Sequence, residues 1–342
     1  MHTSSIGIKN TTEPYKQTVE IAMSSGGKRS TAVGRTTKVN GRQAMISLQT
    51  AFHGTNILSV TTLGREARTY AELMRGDVVM EALQHASGIL QSPFVRRIWL
   101  PNTIASWAGV PSLPPSVALH FPGQRKLNPS QENAVNVILS NHDADRVALI
   151  HGPPGTGKTT VIAAAVTSVM SAPNRSSTLW LVAQSNVAVK NVAEKLGDVG
   201  FFDFKLLVSK DFHFDWLDYL LSYVYYVLRI CCRHEHLYEK ILANVIRSDD
   251  FVDSMVLIER LLLGSRVVLC TLSMLSHPKL SPFIQLVPPQ TVIFDEASQI
   301  EVGDYFPLLR RFQYTLSKLV FIGDDKQRKY IILLMHYDLI CF

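Results

Sequence analysis

Residues 147–170 read VALIHGPPGTGKTTVIAAAVTSVM, and the reading of this stretch decides the fold. Val147 to Ile150 form a short apolar run beside a glycine-rich turn, the pattern of a strand buried on both faces in a parallel sheet. Gly152 to Thr159 match GxxxxGK[ST]. Gly155 and Gly157 have no Cβ, so the backbone there can take positive φ and bring several N–H groups around a phosphate. From Thr160 onward, Ala163, Ala164 and Ala165 favour a helix, whose positive end faces the same anion. The spacing predicts a cradle for ATP built from Gly155, Thr156, Gly157, Lys158, Thr159 and Thr160. Lys158 would sit on the β and γ phosphates and the Thr159 hydroxyl on Mg2+.

Four more apolar runs follow downstream. TLWLVA (178–183) precedes Gln184, Ser185 and Asn186 and a helical stretch, VAVKNVAEKL. Ser185 and Asn186 at that helix N-terminus suit either a backbone phosphate or ordinary capping. RVVLCT (266–271) is the next strand, and TVIFDE (291–296) ends in two acids. In a parallel sheet, acids at a strand's carboxyl end open onto the same crevice as the phosphate loop. Asp295 there suits the nucleotide's Mg2+, and Glu296 suits a general base for the attacking water. KLVFI (318–322) leads into GDDKQ, where Gln327 is placed to sense the γ phosphate. Every polar cluster falls at the carboxyl end of a strand in a βα succession. The predicted fold class is therefore α/β, a P-loop NTPase with a parallel sheet flanked by helices.

Upstream, LNPSQ (127–131) opens a helix, with Asn128 as its cap and Pro129 in the first turn. Gln131, just before the phosphate loop, has an amide that can both donate to and accept from adenine. Residues 39–126 suggest a small mixed α/β accessory region. Ala44, Ile46 and Leu48 alternate, Ile57, Leu58 and Val60 follow a turn at 53–56, and Tyr70 to Leu90 shows helical spacing. Phe94 to Leu100 reads as a short apolar segment, and the proline-rich run from Pro101 to Pro122 as a linker. Residues 1–38, rich in Lys, Arg, Ser and Thr, read as a disordered basic tail or a transit peptide.

The chain has 342 residues, 46% hydrophobic and 18% charged, with a net charge of +6. That balance permits a polyanionic partner such as nucleic acid. Cys231, Cys232, Cys270 and Cys341 show no CxxC and no Cys/His metal spacing, and the first residues hold no apolar signal core. These features fit a reduced intracellular setting, cytoplasmic or nuclear. Lys190, Lys195, Lys205 and Lys210 suit either a strand-binding groove or a solvated face.

Taken in order, LNPSQ, GPPGTGKTT, QSNVAVKNVAEKL, VVLCTLSML, FDEASQIEVGDY and GDDKQ resemble superfamily 1 helicases. Within them they resemble the branch that includes the nonsense-mediated-decay helicase and its fungal relatives. The resemblance covers 127–327. It implies adenine contact by Gln131, ATP and Mg2+ binding by Lys158, Thr159 and Asp295, base catalysis by Glu296 and γ-phosphate sensing by Gln327. Ser185, Asn186 and Thr271 match positions that touch the backbone of single-stranded nucleic acid, with RNA favoured over DNA.

Two stretches depart from that pattern. After GDDKQ the family continues with leucine and prolines, whereas here RKYIILLMHYDLICF follows. This predicts an aberrant tail over 328–342 and a fragment without the second RecA-like domain, able to bind nucleotide but poor at hydrolysis and unwinding. LDYLLSYVYYVLRICCR (217–233) interrupts flanks that read naturally if joined, which predicts a non-native insertion. A buried helix is the alternative; the uncharged run falls short of the ~20 residues of a membrane span. A noncatalytic, nucleotide-gated binding module and a phosphate-loop ATPase completed by a partner subunit are the rival functions.

Overall fold

The computed structural model describes residues 5–7, 18–25, 28–40, 43–48, 56–63, 68–100, 106–123, 126–173, 176–210, 232–324 and 340–341, in two compact units, Met1–Thr69 and Tyr70–Phe342.

The first unit is an antiparallel sheet of β1 (Ser5–Gly7), β2 (Thr18–Ser25), β3 (Lys28–Asn40), β4 (Gln43–Leu48) and β5 (Asn56–Leu63), ordered β1-β4-β3-β2-β5. Val19, Ile21 and Met23 alternate along β2 and form its core with Ala32 and Ile46. The disordered tail expected over 1–38 thus holds β2 and most of β3, paired from Thr18↔Arg35 to Ser25↔Lys28. The period-two apolar pattern was masked by the Lys, Arg, Ser and Thr around it. The mixed α/β content expected over 39–126 divides between the units. Its strands lie in the first, its helices in the second.

The second unit opens with α1 (Tyr70–Leu83), which stops before the positive-φ residues His85 and Gly88. The apolar segment after it is a helix, α2 (Pro93–Trp99), with proline in its first turn, where no N–H is needed. The proline-rich connection is docked along its described part, 106–123. Trp107 packs edge-on against Phe94 and under the Arg146 guanidinium, and His120 bonds through N–H and C=O to Ser168 and Thr167.

Then come α3 (Pro129–Leu139), β6 (Val147–His151), α4 (Lys158–Ser171), β7 (Leu179–Ala183), α5 (Asn186–Asp198) and β8 (Lys205–Val208). After them lie α6 (Cys232–Leu242), β9 (Val245–Arg247), α7 (Met255–Leu262), β10 (Val267–Thr271), α8 (Ser281–Leu286), β11 (Thr291–Asp295), α9 (Tyr305–Arg311), β12 (Lys318–Gly323) and β13 (Ile340–Cys341). The expected parallel sheet is present, ordered β13-β6-β12-β11-β7-β10-β8-β9, with every pair parallel. All five sequence-predicted strands are in it; β8, β9 and β13 were not foreseen, the last lying in the stretch expected to be an aberrant tail. The central strands are buried on both faces. Trp180, Val292 and Phe321 face a core shared with α2, α7, α8 and α9, and Leu181, Ile293 and Val320 face one shared with α3, α4 and α5.

Candidate functional site

The phosphate loop leaves β6 at Gly152, whose N–H donates to Gly323 O (3.0 Å), tying it to the end of β12. Gly155 (φ 81°) and Gly157 (φ 88°) take the left-handed conformations expected of them. A Cβ on Gly155 would meet nothing within 4 Å, whereas one on Gly157 would stand 2.6 Å from Gln131 Nε2. Lys158 opens α4 and turns back over the loop, its ammonium donating to Gly152 O (2.7 Å) and Pro153 O (3.1 Å). Loop glycines, the N–H groups of α4's first turn and this ammonium converge as an anion cradle requires. The residues present fit a nucleotide's phosphates.

Gln131 is held at both ends of its amide. Oε1 accepts from Asn128 N (3.0 Å), closing a capping box with the Asn128 side chain, and Nε2 donates to Thr156 O (2.8 Å). Its geometry ties α3 to the phosphate loop, a role the sequence did not reveal.

Asp295 and Glu296 end β11. Asp295 is 7% exposed, and its carboxylate accepts the Glu296 N–H (3.0 Å). Burial, against that hydrogen bond and the Lys158 charge, pushes its pKa up to about 6. On its other side Asp295 borders a small apolar cavity lined by Ile162, Leu181, Val189, Val192 and Ile293. A buried carboxylate this hard to ionise fits a divalent cation, which would supply the charge that the protein does not. Glu296 is half-buried at φ 52°, ψ 35°, a left-handed residue. The turn after it is tied to the residue that follows β12, where Asp324 N donates to Ser298 Oγ (3.4 Å).

On the neighbouring strands, Ala183 of β7 pairs with Asp295 on one side and Thr271 on the other. Ser185 and Asn186, just beyond Ala183, start α5, so the sheet brings all three nucleic-acid candidates beside the acids. Ser185 Oγ caps the helix by accepting Ala188 N (3.1 Å); Thr271 Oγ1 lies 3.1 Å from Ser273 Oγ. Lys205 is no groove residue. It is buried at the opposite end of its strand and donates to Asn244 Oδ1 (3.3 Å), its pKa lowered by burial. Lys190 pairs with Glu194 (3.4 Å). Gln327 lies outside the described residues, as does most of 217–233 and 328–342. Among the described residues no helix is long and apolar enough to cross a membrane.

An AAA domain family, AAA_11, matches residues 126–210 and 236–329, just over half of the chain. The chain belongs to AAA_11. The AAA_11 match takes in the phosphate loop, the two acids and Gln327, and passes over 211–235. Curated relatives, two of the three with helicase names, share shorter segments. The chain is 44% identical over 70 residues to DNA-binding protein SMUBP-2 of Mesocricetus auratus, covering 20% of this chain and 6% of that one. It is 39% identical over 94 residues to ATP-dependent helicase upf1 of Schizosaccharomyces pombe, covering 26% and 10%. It is 41% identical over 71 residues to the putative ATP-dependent RNA helicase ECM32 of Saccharomyces cerevisiae, covering 21% and 6%. The matched segments span a tenth or less of these relatives. The crystal structure of T4 UvsW is similar at 12% identity and a TM-score of 0.37, covering 82% of this chain and 46% of that one. The AAA_11 unit is a helicase-like ATP-binding domain.

Proposed function

We propose that this crevice binds Mg·ATP and hydrolyses it as the motor site of a superfamily 1 helicase acting on single-stranded nucleic acid, inside the cell, in cytoplasm or nucleus. The observation that carries the reading is the double pairing of Ala183, with Asp295 on one neighbouring strand and Thr271 on the other. Lys158 exchanges its two loop carbonyls for the β and γ phosphates. Thr159 and Asp295 would hold Mg2+, which supplies charge neutralisation at the phosphates when bound. Glu296 takes the proton of the attacking water, and Gln327 senses the γ phosphate. Gln131 reads adenine by giving up Thr156 O and Asn128 N. Ser185, Asn186 and Thr271 hold the strand's backbone, RNA in preference to DNA. Nucleotide binding by the chain is expected to exceed its turnover.

The test is ATP binding and turnover by the chain with single-stranded RNA, single-stranded DNA or neither, beside Lys158→Ala and Glu296→Gln. Strand-stimulated turnover lost in both variants supports the motor; nucleotide binding indifferent to Lys158→Ala overturns it. We also propose that 217–233 and 328–342, of which the AAA_11 match takes in only 328 and 329, are sequence added by misread gene structure. A spliced transcript that keeps those codons in frame refutes that.

A further inference from the structure

Glu296 is one of three non-glycine residues with positive φ among those described, with His85 and Leu263. For an L-residue this conformation costs roughly 1–2 kcal/mol, so something must hold it. The backbone around it is fixed at three points. Glu296 N–H donates to Asp295 Oδ1, Gln299 N–H donates to Glu296 O (2.9 Å), and Ala297 O accepts the Tyr305 hydroxyl (3.0 Å). The last comes from a different element, the first residue of α9, eight positions on.

Tyr305 is 2% exposed, and its ring packs against side chains of the two paired strands that end at the crevice. It meets Phe294 edge-on (5.0 Å, 87°) and Phe321 edge-on (5.3 Å, 85°), while those two stack on each other (5.3 Å, 8°). Phe294 immediately precedes Asp295, and Phe321 lies two residues before Gly323, which binds the phosphate loop. Next to Tyr305, Asp304 is pinned by Arg75 of α1 (2.7 Å), which fixes the start of α9 from outside. Burial raises the phenol's pKa, so the hydroxyl stays a donor at working pH.

We infer that Tyr305 is a positioning residue for the general base: its hydroxyl, set by the three-ring cluster, clamps the Ala297 carbonyl and keeps Glu296 in its left-handed turn. This rests on the proposed role of Glu296. The experiment uses the full chain with Tyr305→Phe, which keeps the ring and deletes the donor. Hydrogen exchange at Gln299 and Ile300, whose amides bond to Glu296 O and Ala297 O, is expected to accelerate tenfold or more, with Leu181 and Val182 of β7 unchanged. Single-turnover hydrolysis is expected to fall about tenfold, with Mg·ATP affinity within twofold of wild type. Unchanged exchange at the turn, or acceleration spread evenly over β7 as well, overturns the inference. If the wild-type chain binds ATP but hydrolyses none, the motor reading loses its catalytic half and the exchange measurement still decides whether Tyr305 holds the turn.

Discussion

At Asp295 burial and chemistry oppose each other. Its carboxyl borders an apolar cavity and titrates near 6, so at pH 7.5 the fold holds an ionised group it disfavours. In the unfolded chain the same group titrates in the ordinary range near 4. The folded state therefore loses stability as pH rises through 4 to 6, and stays penalised above that. Asp295→Asn is expected to stabilise the ligand-free chain at pH 7.5 by about 1–3 kcal/mol, a gain that vanishes below pH 4. Thermal melts across pH check this, and the same variant should lose Mg2+-dependent nucleotide binding. Gly157 carries the opposite kind of constraint, since a side chain there meets both positive φ and the Gln131 amide. Gly157→Ala is expected to cost on the order of 2 kcal/mol and to weaken nucleotide binding at least tenfold, read by melts and by titration with a fluorescent nucleotide.

Among the elements, β12 shows how the sheet is fastened to the helices. Lys318, at its first residue, is 2% exposed and donates its ammonium to Val137 O (2.7 Å) and Ser140 O (2.8 Å) at the end of α3. It satisfies carbonyls that a helix terminus leaves open. Burial lowers its pKa to about 8, against an ordinary value near 10.4. The unfolded chain then binds the proton more strongly between those values, and stability rises with pH across that window. Relative to Lys318→Met, the wild type should gain on the order of 2 kcal/mol between pH 8 and 10, measured by denaturant titration. The chemistry of the strand ends was legible because residue type and spacing suffice for it. GxxxxGKT forces a glycine turn before a helix, and FDE closes an apolar run with two acids. Tyr305 and the second role of Gln131 were not legible, because each acts on a backbone carbonyl of another element, and carbonyls carry no sequence signal. The strand β2 was hidden by composition, and β8 and β9, four and three residues long, are too short to show a period.

On the scale of the whole molecule, the AAA_11 match begins at residue 126, but the second compact unit begins at Tyr70. Ile89, Phe94, Val95 and Ile98 lie between those points and are buried in the same core as Trp180, Phe294 and Phe321. A chain started at residue 126 would bare that face of the sheet, forfeiting roughly 1.5–3 kcal/mol for each large apolar side chain removed. It is expected to melt without cooperativity and bind a hydrophobic dye, whereas a chain started at Tyr70 should unfold in one sharp transition. Equal, cooperative melting of the two would refute this. What this protein shares with its relatives is thus smaller than what must fold together. A boundary drawn by likeness would cut through a folding unit, and a fragment made to that boundary would report the failure of its own truncation as if it were a property of the protein.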